Sequence, residues 1–178
     1  ADAALIADLK AVITEHPDFP KPGISFKDFC PVMRHPALFR RVIKALAARY
    51  TAMGIETIGG IDSRGFVLGA PLALEMDVPL VLIRKKGKLP GETVSCSYEL
   101  EYGSDALEVQ RSAVEKGQKM VIIDDLLATG GTLNAAASVV EEAGAVVVEA
   151  CVMIELPDLK GRDKVKCPVY AFVPYEGD

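Results

Sequence analysis

The segment Lys119 to Thr132, KMVIIDDLLATGGT, constrains the fold more than any other stretch of the 178-residue chain. Met120 to Ile123 is a short, β-branched-rich apolar run, which suits a buried strand better than a helix. Asp124 and Asp125 then fall at the carboxyl edge of that strand, where open α/β sheets bind their ligands. Ala128, Thr129, Gly130, Gly131 and Thr132 follow as a small-residue turn before a helix starting near Asn134. Backbone N–H groups converging at such a helix start form a nest for an anion. No Lys follows the glycines, so the turn is not the GxxxxGK[ST] loop that holds nucleoside triphosphates. Two carboxylates would repel a phosphate there, unless they accept hydrogen bonds from a sugar diol or help hold a hydrated cation. A sugar phosphate satisfies both halves of the motif. Taken alone, the same residues also serve as capping groups and turn formers.

Half of the residues are apolar, and a chain of this length can bury one core but is short for two. A single domain over residues 1–178 is expected. The net charge of −5 and pI near 5.1 give no general attraction to nucleic acid or to anionic membranes. No apolar run approaches the roughly 20 residues a membrane-spanning helix needs. The stretch ADAALIADLK lacks the basic start and apolar centre of a signal peptide, so the expected compartment is the cytoplasm. Cys30, Cys96, Cys151 and Cys167 form no CxxC pair and read as reduced, structural thiols. His16 and His35 each precede a proline without a partner at metal-ligand spacing, and neither is assigned a catalytic role.

Leu5, Ile6, Leu9, Val12 and Ile13 share one helical face, in a helix that ends before His16 and Pro17. Residues 17–31 carry four prolines, at 17, 20, 22 and 31, and form a loop. Within it, Ile24 to Lys27 makes a short extended piece that offers backbone amides and an aromatic face to a flat ligand. Phe26 serves equally well as a core residue. A helix starts at Pro36 and runs through Tyr50 to a stop at Gly54. Strand 57–61 follows, then a helix opened by DSRGF that reaches about Met76, then strand 79–83. Further on, the pattern predicts a helix at about 104–114, strand 120–123, helix 132–143, strand 145–154 and a terminal strand 169–173. Such alternation predicts an α/β fold with a central parallel sheet flanked by helices.

Residues 84–103, RKKGKLPG followed by ETVSCSYELEYG, have no helical period and read as a hairpin or flap. Three strand ends now converge on one crevice: DSRG after Ile61, RKKGK after Ile83, and DDLLATGGT after Ile123. In this arrangement the ATGGT turn takes a monophosphate, and Asp124 and Asp125 take ribose hydroxyls. Arg64, Arg84 and Lys88 take a second, strongly anionic group.

The segments PDFPKPGISFKD, GIDSRGF, VLIRKKGKLPG, SYELEYG and VIIDDLLATGGT, in this order, resemble the type I phosphoribosyltransferases, and among them the adenine-specific members. The resemblance covers nearly the whole chain. It implies a parallel-sheet α/β core with a small hood (about 17–35) and a flexible flap (about 84–103), acting as a homodimer. The implied reaction joins adenine to 5-phosphoribosyl 1-pyrophosphate (PRPP), giving AMP and pyrophosphate, with Mg2+ bound mainly through PRPP and pyrophosphate rather than by protein ligands. It also implies a non-proline cis peptide between Asp62 and Ser63, with Asp62, Ser63 and Arg64 forming the pyrophosphate loop. Base recognition falls on the backbone around Ser25 and Lys27, with Phe26 and Leu126 packing on the purine. Lys27 stands where the family often has Arg, which removes a planar two-point contact but leaves backbone recognition intact. Glu101 becomes the candidate for moving the purine proton, against the alternative of an exposed flap carboxylate, and Tyr102 helps to close the flap.

Three other readings compete: transfer to hypoxanthine, guanine or xanthine, a non-catalytic PRPP sensor, and a structural α/β domain whose acids and glycines only make turns. The low pI and the lack of an appended DNA-binding domain weigh against a nucleic-acid regulator. The number of motifs in family order weighs against the structural domain.

Overall fold

The computed structural model describes residues 2–100 and 103–175, and the side chains of all of these except Glu99 and Leu100. Chain order begins with α1 (Ala3–Val12), a short antiparallel pair β1 (Thr14–His16) and β2 (Phe26–Asp28), and α2 (Pro36–Ala52). Then come β3 (Thr57–Ile61), α3 (Arg64–Met76) and β4 (Leu80–Lys85), followed by a hairpin of β5 (Thr93–Leu100) and β6 (Gly103–Gln110). The chain continues through β7 (Lys119–Leu127), α4 (Gly131–Glu142), β8 (Val146–Glu155) and β9 (Val169–Val173). Local chemistry explains the helix starts. The Asp2 carboxylate accepts the Leu5 N–H at 2.7 Å to open α1, and Pro36 fills the first turn of α2, where its missing N–H costs nothing.

The large sheet runs β5-β6-β4-β3-β7-β8-β9. Strands β3, β4, β7, β8 and β9 are parallel, whereas β6 pairs antiparallel with both β4 and β5. The sheet is therefore mixed at one edge. Here the expected helix at 104–114 is corrected to strand β6, followed by a single 3-10 turn at Arg111–Ala113. DALEVQ has helix-favouring residues, but β5 offers a continuous ladder from Thr93↔Gln110 to Leu100↔Gly103, and pairing overrides local propensity.

β7 is buried on both faces. Val121 and Ile123 pack with Leu9, Leu46, Tyr50 and Leu72 beneath the first three helices, while Met120 and Ile122 pack with Val109, Val139 and Val140 on the side of α4 and the hairpin. Each such side chain contributes roughly 1.5–3 kcal/mol of burial. The strand also runs further than the apolar run predicts. It continues through Asp124 and Asp125 to Leu127 because β8 pairs with it as far as Glu155. β3, by contrast, leaves β7 at Ile123. The two acids thus lie inside a strand, at the point where it loses its neighbour on one side.

A buried polar tie joins α2 to β8. Glu149, 6% exposed, accepts from Arg49 Nη2 at 2.6 Å, Arg49 Nε at 3.1 Å and the Tyr50 hydroxyl at 2.8 Å. Burial pushes the Tyr50 phenol far up, so it remains a donor, and pushes the neighbouring Cys151 thiol up to about 12. All four cysteines are free.

α3 lies close against β7 because of Gly65, where an added Cβ would overlap the Ile123 carbonyl oxygen. Gly65→Ala is expected to push the helix off the sheet and cost about 1–3 kcal/mol. Thermal unfolding monitored by circular dichroism checks this as a fall of several degrees in midpoint.

Candidate active site

The carboxyl ends of β3, β4 and β7 meet at the place where the chain turns from building one half of the sheet to building the other. β3 is followed by Asp62 and Ser63, joined by a cis peptide as expected, and by Arg64 at the start of α3. β4 ends in Arg84. β7 carries Asp124 and Asp125, then the turn into α4.

That turn is built by two backbones in contact. Gly130 has φ +84°, in the left-handed region where glycine is favoured, and a Cβ there would overlap the Gly161 carbonyl. A Cβ on Gly161 would in turn overlap the Ala128 carbonyl. The 3-10 turn Gly161–Lys164 therefore backs the turn at 128–130, a contact that pattern reading missed. Its only sequence signal is a glycine in KGRDK. No side chain caps the start of α4, which leaves its first N–H groups open to an anion. Asp124, Leu126, Ala128, Thr129, Gly130 and Thr132 line a single cavity of about 120 Å3. Gly131 begins α4 beside it, and a Cβ added there would lie 4.0 Å from the Tyr98 ring of β5.

The two acids differ. Asp125 is 5% exposed and pairs with Arg64 through its Oδ2. Asp124 accepts the Asp125 N–H at 2.8 Å. Burial and then the Asp125 charge hold its carboxyl well above the usual range. Arg84 donates to Asp62 at 2.8 Å and, at 3.4 Å, to the carbonyl of Lys88. The side chains of Arg64 and Arg84 thus each lie on a carboxylate of the crevice, and Lys88 is exposed nearby in the turn after β4.

The base-recognition candidates are divided between two cavities. Phe26 and Arg64 line one of about 300 Å3 together with His16, Phe19, Asp28 and Cys30. Phe19 stands edge-on to Phe26 at 5.1 Å between ring centres. Ser25 and Lys27 line another, of about 110 Å3, with Leu156, Pro157 and Tyr175. Both side chains bond to Glu15 across the β1–β2 pair, Lys27 at 3.0 Å, and the Lys27 ammonium sits 4.7 Å over the Tyr175 ring. Lys27 is thereby occupied, and its side chain is not gathered with Phe26. Leu126 belongs with the anion turn. Glu101 and Tyr102 lie outside the described residues. Among the described residues, no group of three or more His, Cys, Asp or Glu gathers as a metal cage.

The sequence profile of the phosphoribosyl transferase domain matches residues 32–173. The chain belongs to the phosphoribosyltransferase family. It is similar to the adenine phosphoribosyltransferase of Roseiflexus castenholzii, with 51% identity over 158 residues, covering 89% of this chain and 92% of that protein. Among solved structures it is similar to adenine phosphoribosyltransferase from Saccharomyces cerevisiae, complexed with adenine and an imino-altritol bisphosphate. That likeness has a TM-score of 0.92 at 41% identity and covers 96% of this chain and 99% of that one. The Trypanosoma brucei enzyme, in complex with AMP, pyrophosphate and ribose-5-phosphate, gives a TM-score of 0.86 at 29% identity over 96% of this chain and 79% of that one.

Two outcomes follow from this geometry. Gly161→Ala should displace the turn at 128–130 and weaken inorganic phosphate or AMP binding about tenfold or more, measured by calorimetry, because misplaced amides lose charge-assisted hydrogen bonds. A carboxyl whose pKa is raised in the folded state costs stability as pH rises from its unfolded value, 3.8 for Asp124, through the folded one. Asp124→Asn should therefore raise the unfolding midpoint at pH 7–8 by about 2–4 °C. The gain should vanish toward pH 4, as scanning calorimetry across pH would record.

Proposed function

We infer that the chain converts adenine and PRPP to AMP and pyrophosphate, as an adenine phosphoribosyltransferase of purine salvage. The observation that carries this reading is the cavity at the end of β7, where the acids' strand and the open start of α4 meet in one space. A 5′-phosphate fits the amides of 128–132, and the ribose hydroxyls fit Asp124 and Asp125 once Arg64 leaves its carboxylate for the diphosphate. The names of the relatives supply the base.

The reaction is a displacement at the anomeric carbon. The bond to the diphosphate oxygen breaks, the bond to an adenine ring nitrogen forms, and the purine proton passes to Glu101. The transition state resembles an oxocarbenium ion, so positioned charge governs the rate. Asp124 and Asp125 offset the positive ring, while Arg64, Arg84 and Lys88 receive the negative leaving group, with Asp62 and Ser63 shaping that loop. Ser25 and Lys27 present main-chain groups to the base, Phe26 and Leu126 pack on it, and Tyr102 closes the flap. The crevice carboxylates Asp62, Asp124 and Asp125 are compatible with a Mg2+ that arrives on the substrate, and they do not form a cage of their own. When bound, Mg2+ screens the diphosphate charge.

The active form is a homodimer in this reading. Val67 and Leu74, one heptad apart on α3, are 41% and 83% exposed, a pattern that a partner surface would cover. Residues 17–35 are the hood and 84–103 the flap of one domain. No helix among the described residues is long and apolar enough to cross a membrane, and the proposed compartment is the cytoplasm.

Mixing the protein with PRPP, Mg2+ and single purines tests the assignment. AMP and pyrophosphate should form with adenine, at a kcat/KM at least a hundredfold above that for hypoxanthine or guanine, since a site matched to one set of polar groups rejects others strongly. Equal rates with hypoxanthine would overturn the base assignment.

A further inference from the structure

Glu108 is a buried carboxylate that the reaction described above does not use. It stands on β6, 3% exposed, directly across the ladder from Arg84 on β4 and Ser95 on β5. One of its oxygens accepts the N–H of Lys88 at 3.0 Å and the N–H of Leu89 at 2.9 Å. Burial works to raise its pKa, but the amides of Leu89, Gly87 and Lys88, helped by the Thr93 hydroxyl, outweigh this and hold the group below the ordinary carboxylate range. An anion therefore occupies the inner side of the basic turn at 86–89, held mainly by backbone amides. The Lys86 and Lys88 side chains are left exposed.

The same turn is tied from its other side. Arg84 donates to the Lys88 carbonyl at 3.4 Å and to Asp62 at 2.8 Å. A continuous set of contacts thus runs from Glu108, through the amides of 88 and 89, to Arg84 and the loop at Asp62. Sequence reading placed this residue in a helix, where it would have been a solvated acid. Only the strand register puts it behind the turn.

We propose that Glu108 is a positioning residue for the diphosphate end of PRPP, fixing the turn that presents Arg84 and Lys88 to the leaving group. The inference rests on the assignment of those two cations to that end. It binds no substrate itself. Its effect is to remove the freedom of a glycine-containing turn, which would otherwise have to be ordered each time the anion binds.

Steady-state kinetics of the parent, Glu108→Leu and Glu108→Gln tests the proposal, with PRPP and adenine varied separately and pyrophosphate as product inhibitor. Leu fills the space and leaves both amides unpartnered. Glu108→Leu should raise the KM for PRPP and the inhibition constant of pyrophosphate about tenfold or more, with the KM for adenine within about twofold of the parent. Gln keeps an acceptor in place and should restore most of that loss. A parent that forms no AMP overturns the phosphoribosyl-transfer reading and the proposal with it. An active parent whose Glu108→Leu variant keeps its PRPP and pyrophosphate constants, or loses adenine and PRPP affinity equally, overturns the role of Glu108 alone. Should that variant fail to fold, hydrogen exchange on the parent decides. The Lys88 and Leu89 amides should exchange at least about tenfold slower than in an unstructured peptide, and free-peptide rates would overturn the proposal.

Discussion

The two-sided burial of β7 is the constraint on which the rest depends. Four consecutive side chains, Met120 to Ile123, are fully enclosed, alternating between the helical layer of α1 to α3 and the layer of α4 and the hairpin. That alternation fixes the register of the strand, because a slip of one residue would exchange the two faces. It therefore fixes where Asp124 and Asp125 emerge. β3 stops beside Ile123 while β8 continues, so the acids stand on a ledge supported from one side and open on the other.

The charged groups of the crevice pair with one another. Arg64 lies on Asp125 and Arg84 on Asp62, and Asp124 is pushed toward its neutral form by burial and by its neighbour. Partly buried charges so close together would be costly unless they were paired or protonated. A carboxyl held above its ordinary range in the folded chain, as at Asp124, costs stability at neutral pH.

Most of the framework was legible in the chain. The helices beginning at Pro36 and Arg64 and the strands Thr57–Ile61 and Val169–Val173 lie where periodicity and turn chemistry put them. The turn at ATGGT was legible as well, since small residues and glycines before an apolar-periodic stretch mark a turn into a helix, and α4 starts there at Gly131. β6 was not, because DALEVQ has helix-favouring composition and only its pairing with β5 and β4 makes it a strand. That one misassignment hid Glu108. Gly161 was hidden for another reason: its importance lies in contact with residues about thirty positions earlier, and no local pattern encodes such a contact.

By itself, then, the sequence determined the chemistry at the crevice: which residues are acidic, basic or small, and the order in which they follow strands. Hydrophobic period and turn composition are local properties, and they carry that information without the fold. Tertiary structure alone decided which groups meet. It placed Ser25 and Lys27 on Glu15 and Tyr175, in a different cavity from Phe26. It set Gly161 against the anion turn and turned Glu108 inward behind the basic one. Such meetings depend on strand register and on close approach of backbones distant in sequence, and both are settled only when the sheet is assembled.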